Sequence, residues 1–159
     1  MADELSYDAT SLPQSTSNES VSSTFLAPEL AEMEYVPQPR RVLVVEDEDF
    51  ERDLLVRRLE LLGLQVAQAA SISEARSELT RERFDLAIMD AHLPDGSGLE
   101  LCAETIDNAS TADLPVIILS SLRDGDIVRR SRAAGGLFFL GKPYDPNVLL
   151  AVIENAVGM

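Results

Sequence analysis

The sequence predicts an α/β domain on a doubly wound, five-stranded parallel sheet with five flanking helices. Three observations predict it. First, four short apolar runs are continuous rather than alternating. They are Arg41-Val42-Leu43-Val44-Val45, Asp85-Leu86-Ala87-Ile88-Met89, Pro115-Val116-Ile117-Ile118-Leu119 and Leu137-Phe138-Phe139-Leu140-Gly141. Runs of this kind read as strands buried on both faces. Second, stretches with helical apolar spacing separate them, and βα alternation implies a parallel sheet with right-handed crossovers. Third, each run ends in polar or charged residues: Glu46-Asp47, Asp90, Ser120-Ser121 and Lys142-Pro143.

Taken in order, the first strand runs from Arg41 to Val45. A helix follows, with Asp49 as its expected cap and Leu54, Leu55, Leu59 and Leu62 on its inner side. Gly63 suits the left-handed position after its end. Leu64 to Ala69 forms a second, partly exposed strand. Ser71-Ile72-Ser73-Glu74 has the pattern of a capping box and opens a helix with Ala75 and Leu79 inward. The third strand ends at Asp90, and the third helix carries Leu99, Cys102 and Ile106 at helical spacing. The fourth strand ends at Ser120, with a helix from about Asp124 to Ala134. After the fifth strand, Asp145 caps the last helix and Pro146 takes its first position, followed by Leu149, Leu150, Val152 and Ile153. There is no internal repeat. Five such units fit the flavodoxin-like strand order 2-1-3-4-5. That order sets the ends of the first and third strands side by side, so Glu46, Asp47 and Asp90 cluster in the crevice where such sheets bind ligands.

Bulk properties narrow the function. The chain has 159 residues, a formal net charge of −15 and 45% apolar residues. Such a surface repels phosphates, which argues against direct nucleic-acid binding and against anionic membrane surfaces. No apolar stretch approaches the roughly 20 residues that span a bilayer. The start, Met1-Ala2-Asp3-Glu4, is acidic and unlike a secretory or transit leader. Cys102 has no partner for an internal disulfide, which fits a cytosolic setting. Residues 1–39 differ in composition, with many Ser and Thr, Pro13, Pro28, Pro37 and Pro39, and seven acids. We read 1–39 as a disordered tail and 40–159 as the folded domain. Within the tail, Leu26, Leu30 and Met33 could form one short apolar face.

Three clustered carboxylates repel one another unless a cation intervenes. An incomplete shell of hard oxygen ligands suits Mg²⁺, which keeps waters and shares phosphate oxygens. Lys142 adds a fixed positive charge and Ser120 a hydroxyl donor. With these residues in view, residues from about Arg40 to Met159 resemble the response regulator receiver domain, the CheY-like phosphoacceptor of two-component signalling. The motifs that carry the resemblance are Val42-Leu43-Val44-Val45-Glu46-Asp47-Glu48-Asp49, Met89-Asp90-Ala91-His92-Leu93-Pro94-Asp95-Gly96-Ser97-Gly98, Ile117-Ile118-Leu119-Ser120-Ser121 and Gly141-Lys142-Pro143-Tyr144.

The resemblance implies that Asp90 takes a phosphoryl group from a sensor histidine kinase, a histidine phosphotransfer protein or a small phosphodonor. It implies Mg²⁺, with Mn²⁺ as a substitute, held by Glu46, Asp47, Asp90 and the backbone carbonyl of His92. It implies that Lys142 and Ser120 contact the phosphoryl group, and that Ser120 and Phe139 move as a switch. The readout face would be the fourth helix, fifth strand and fifth helix, meeting a downstream protein in a bacterial-type cytoplasm. Membrane insertion is not expected, nor catalysis beyond Mg²⁺-assisted self-phosphorylation and dephosphorylation.

Several positions depart from the common pattern of the family. Glu46 and Ser120 stand where Asp and Thr are more usual. Phe139 stands for Tyr, and plain core packing is an equal alternative to a switch role for it. Gly141 before Lys142 is unusual. The His92 ring is a poor Mg²⁺ ligand, and in the family its position and that of Leu122 tune phosphoryl lifetime. Cys102 reads as a buried structural thiol. Arg123, Arg129, Arg130 and Arg132 read as a solvated helix face that could meet an acidic partner or a second copy.

No helix-turn-helix, cyclase or kinase sequence follows the fifth helix, so the expectation is a stand-alone single-domain regulator. The alternatives are a phosphorelay intermediate or phosphate sink, a docking-only domain, and a fragment of a longer regulator. An Asp-nucleophile phosphohydrolase is disfavoured, because His92 stands where such enzymes carry a second Asp.

Overall fold

A computed structural model describes residues 37–121 and 125–159. The expected tail up to residue 36, together with Leu122, Arg123 and the Asp124 start of the fourth helix, lies outside the described residues. Arg41–Val45 forms β1, Asp49–Leu61 α1, Gln65–Ala69 β2 and Ile72–Arg81 α2. Leu86–Asp90 forms β3, and a two-residue pair, His92–Leu93 (β4) and Gly96–Ser97 (β5), follows it. Gly98–Asp107 is α3, Val116–Ser120 β6, Gly125–Ala133 α4, Phe138–Gly141 β7 and Pro146–Val157 α5.

The main sheet is parallel, in the order β2-β1-β3-β6-β7. Counting only its own strands, this is the predicted order 2-1-3-4-5. Side chains of a strand alternate between faces, and the sheet has a core on each. Val42, Val44, Leu86, Ile88, Ile117 and Leu119 pack with Leu55 and Leu59 of α1 and Leu149 and Ile153 of α5. Leu43, Val45, Ala87, Met89, Val116 and Ile118 pack with Ala75 of α2, Leu101 and Cys102 of α3 and Ile127 of α4. Burial on both faces is why β1, β3 and β6 are apolar without alternation.

The helix starts follow local chemistry. Ser71 Oγ accepts from the Glu74 amide at 3.1 Å, and Glu74 Oε2 reaches back to the Ala70 amide at 2.7 Å. The capping box is therefore present, with its return bond one residue earlier than usual. Asp145 Oδ1 accepts from the Asn147 amide at 2.7 Å ahead of Pro146. Gly63 is left-handed, with φ +79°.

Three expectations need correction. Asp49 does not cap α1: the cap is Glu48, with no side-chain bond, and Asp49 is the first helical residue and pairs with Arg52. The inner face of α1 is Leu55, Val56 and Leu59, while Leu54 and Leu62 are exposed. Periodicity leaves the pairs Leu54-Leu55 and Leu61-Leu62 ambiguous, and the helix phase set by packing on β1 resolves them. Ile106 is also exposed; Thr105 turns inward instead and donates to the Cys102 carbonyl at 2.6 Å. The Ile106 Cδ1 lies over Gly135, 1.6 Å from where a Cβ there would be. Gly135 has φ +88° and no side chain, so the turn after α4 makes room for it.

Candidate functional site

Strand register builds the site. Val45 pairs with Met89, so Glu46 stands level with Asp90. Asp90 pairs with Leu119 and Ser120 with Gly141, which puts Lys142 next in line. Adjacent strands lie about 4.8 Å apart, so side chains at these ends can touch. Backbone bonds fix the heights: Glu46 N donates to Ala69 O at 3.0 Å, Ala91 N to Leu119 O at 2.8 Å and Lys142 N to Ser120 O at 2.7 Å. The Lys142–Pro143 peptide is cis.

The structure brings together Glu46, Asp47, Asp90 and Lys142. One carboxylate oxygen from each of Glu46, Asp47 and Asp90 lies within 4.8 Å of the other two. Lys142 Nζ donates to Asp90 Oδ2 at 2.7 Å, Glu46 Oε2 at 2.5 Å and Glu51 Oε2 at 2.5 Å. Glu46 is 2% exposed and Asp90 8%, whereas Asp47 faces solvent. A buried carboxylate needs partners. Glu46 Oε1 accepts from the Glu48 amide at 3.2 Å, and Asp90 Oδ1 from the His92 amide at 2.8 Å. Burial pushes the Glu46 carboxyl up to about 7, against the pull of the Lys142 ammonium, and the nearby Asp90 charge adds to the rise. Burial works against the Lys142 charge as well, but its bonds to Asp90, Glu46 and Glu51 outweigh that and hold it above the usual lysine range.

Two further groups position these acids. Arg52, one turn into α1, donates to the Glu46 carbonyl at 2.9 Å and pairs with Asp49. It thereby ties α1 to the loop after β1. Asp95, in the turn between β4 and β5, accepts from the Ile72 and Ser73 amides at 2.8 and 3.0 Å. It joins the loop after β3 to the start of α2, and those two bonds hold its carboxyl below the usual range.

A family model described as "Response regulator receiver domain" matches residues 42–154. The chain belongs to the response regulator receiver family. It is 34% identical over 120 residues to the transcriptional regulatory protein PdtaR of Mycobacterium tuberculosis, covering 75% of this chain and 57% of that one. The chain thus spans about half the length of that relative. Among solved structures it is similar to a CheY-like receiver domain protein from Methanospirillum hungatei (TM-score 0.72, 27% identity, 76% of this chain and 95% of that one). It is also similar to the non-phosphorylated HemR receiver domain from Leptospira biflexa, with TM-score 0.69 and 30% identity over 77% of this chain and 96% of that one.

The remaining residues of this receiver domain fall as follows. Ser120 is fully buried at the end of β6. The His92 side chain is exposed, and its amide, not its ring, holds Asp90. Phe139 is half-buried on β7 and packs against the core under α2, α3 and α4. Arg129, Arg130 and Arg132 are exposed, and Arg129 pairs with Asp126. Cys102 is fully buried; its Sγ donates to the Ala134 carbonyl at 3.3 Å, and burial pushes the thiol up to about 11. Among the described residues, no helix is long and apolar enough to cross a membrane.

The sequence alone does not reveal the contacts that Glu51, Arg52 and Asp95 make. Glu51 stands four residues after Asp47, but Asp47 lies in the loop before α1, so that spacing alone does not place Glu51 at the site. Asp95 stands in an Asp-Gly turn within the motif at residues 89–98, and neither the turn nor the motif speaks of a cap on another helix.

Proposed function

We propose that this receiver domain accepts a phosphoryl group on Asp90 and passes the event on through its surface. The observation that carries this is the pairing of Lys142 with Asp90 beside the Glu46 and Asp47 carboxylates. One Asp90 oxygen attacks the phosphorus of a phosphohistidine or a small donor. The bond from phosphorus to the donor's nitrogen or oxygen breaks, the leaving group takes up a proton, and Asp90 becomes an acyl phosphate. Lys142 neutralises charge on the phosphoryl oxygens, and Ser120 donates to one of them. Glu46, Asp47 and Asp90, all hard oxygen donors, fit Mg²⁺, with the His92 carbonyl as a further ligand. When bound, the ion supplies charge neutralisation at the phosphoryl oxygens.

Phosphomonoester turnover is not expected, since His92 rather than an acid follows Asp90 at the second position. The chain's charge of −15 favours signalling through protein contacts in the cytoplasm over direct contact with nucleic acid. The exit surface is the α4–β7–α5 face, which carries Phe139, and residues 40–159 make up the receiver unit.

The test is the intact mass of the protein after incubation with phosphoramidate, with and without Mg²⁺. One phosphoryl group, dependent on Mg²⁺ and lost in hydroxylamine, is expected. No adduct even from a cognate phosphohistidine donor, combined with no binding of beryllofluoride, would leave a docking domain. Cation binding should also depend on pH with a defined sign. The cation needs Glu46 ionised, while in the cation-free fold Glu46 holds its proton up to about pH 7. Affinity should therefore be flat above that pH and fall by up to about tenfold per unit below it. A titration of Mg²⁺ affinity from pH 5.5 to 8.5 checks this, and a flat profile throughout rules out Glu46 as the competing group.

A further inference from the structure

We infer that Glu51 is a positioning residue that restrains Lys142, and thereby slows phosphoryl uptake at Asp90. The rate part of this rests on the phosphoacceptor role proposed above. An ammonium has three N–H donors. At Lys142 three carboxylates use them: Asp90, Glu46 and Glu51. A phosphoryl oxygen arriving at Asp90 must displace one of the three to reach the ammonium.

The three bonds are not equivalent. Glu46 and Asp90 are buried strand-end acids, and amides of the chain also hold them. Glu51 comes from the first turn of α1, and its side chain is 51% exposed. It is not part of the trio of acids that gathers within 4.8 Å. Among the described residues, its carboxylate meets the site through Lys142, whose side chain is 13% exposed. The pair also spans the chain, clasping α1 to the segment after β7. Glu51 is therefore a competitor for the lysine that the other acids do not need for their own support. Half-exposed ion pairs are weak, so the restraint amounts to a several-fold effect rather than orders of magnitude.

Lys142 is the only lysine in the sequence. An amine-selective reagent therefore reports on Lys142 and the terminal amine alone, which peptide mapping separates. Two variants divide reach from charge: Glu51→Asp keeps the charge on an arm one methylene shorter, and Glu51→Gln keeps the length and removes the charge. Asp53→Asn, on the same helix, is the control for a bare charge change. Thermal melts check that each variant folds.

In the cation-free protein at pH 9, Lys142 should label about three- to tenfold faster in both Glu51 variants, and at the wild-type rate in Asp53→Asn. With Mg²⁺ and phosphoramidate, both Glu51 variants should also take up phosphoryl groups about three- to tenfold faster. Wild-type rates in both would overturn the restraint. So would slower uptake, which would make Glu51 an aid to Lys142. Acceleration in Glu51→Gln alone would make the effect one of charge at a distance and overturn the bond. Faster labelling without phosphoryl uptake in any form, wild type included, would keep the restraint on Lys142 and remove the phosphoacceptor role instead.

Discussion

Asp90→Asn is expected to take up no phosphoryl group under the conditions used to load the wild-type chain. An amide oxygen is neither the nucleophile nor the anionic ligand that the step requires. The fold should survive the change. Asn can still accept the His92 amide bond that Asp90 Oδ1 accepts now, and only the bond from Lys142 to Oδ2 is weakened. The substitution also removes a like charge facing Glu46, whose carboxyl should shift down from about 7. The melting temperature should therefore move by only a few degrees, roughly the effect of 1 kcal/mol in a domain of this size. Intact mass and a thermal melt on the same sample check both halves. An adduct of unchanged stoichiometry in the variant would place the acceptor elsewhere. Loss of the fold would mean that the Asp90–Lys142 bond is structural first.

Gly98→Ala should cost far more stability than Asp90→Asn. A Cβ on Gly98 would lie 2.0 Å from the Asp90 carbonyl oxygen and 3.0 Å from its carbonyl carbon. Both are backbone atoms, so no side chain can turn aside to make room. The Gly98 amide also donates to the Ala91 carbonyl at 3.0 Å, which pins the start of α3 against the end of β3. Adding one carbon must push these two elements apart. Overpacking of this kind costs about 3 kcal/mol or more when backbone has to move. That corresponds to a fall of roughly 10 °C in melting temperature. Because the displaced strand end carries Asp90, phosphoryl uptake should fall with stability even where the variant remains folded. Gly63→Ala is the contrast: nothing lies within 4 Å of its Cβ position, and only the left-handed φ of +79° opposes it. A melt of Gly98→Ala no lower than that of Gly63→Ala would contradict the close contact.

Much of this molecule is legible in the chain because its strands are buried on both faces. Val42–Val45, Leu86–Met89 and Val116–Leu119 have no polar face to confuse their reading. Their spacing permits little besides a parallel sheet with helices on both sides. The strand-end residues Glu46, Asp47, Asp90, Ser120 and Lys142 were legible for the same reason: each follows a run whose end is sharply marked. Where the sequence offers two equal choices, it is silent. On α1 the tandem leucines leave Leu55 and Leu59 inside as expected but put Leu54 and Leu62 outside, and Ile106 yields its expected place to Thr105, which satisfies its hydroxyl on its own helix.

The sequence by itself therefore determined the fold class, the strand order and the acids that meet at one end of the sheet. Those are consequences of hydrophobic periodicity and connection rules, which act along the chain. Only the tertiary structure decided which acids Lys142 holds, that Glu51 is among them, and that burial raises Glu46. It alone showed that Gly98 has to be bare and that Asp95 caps a helix more than twenty residues before it. Each of these depends on distances between residues far apart in sequence. Hydrogen bonds and desolvation change over an ångström, and no spacing along the chain encodes that.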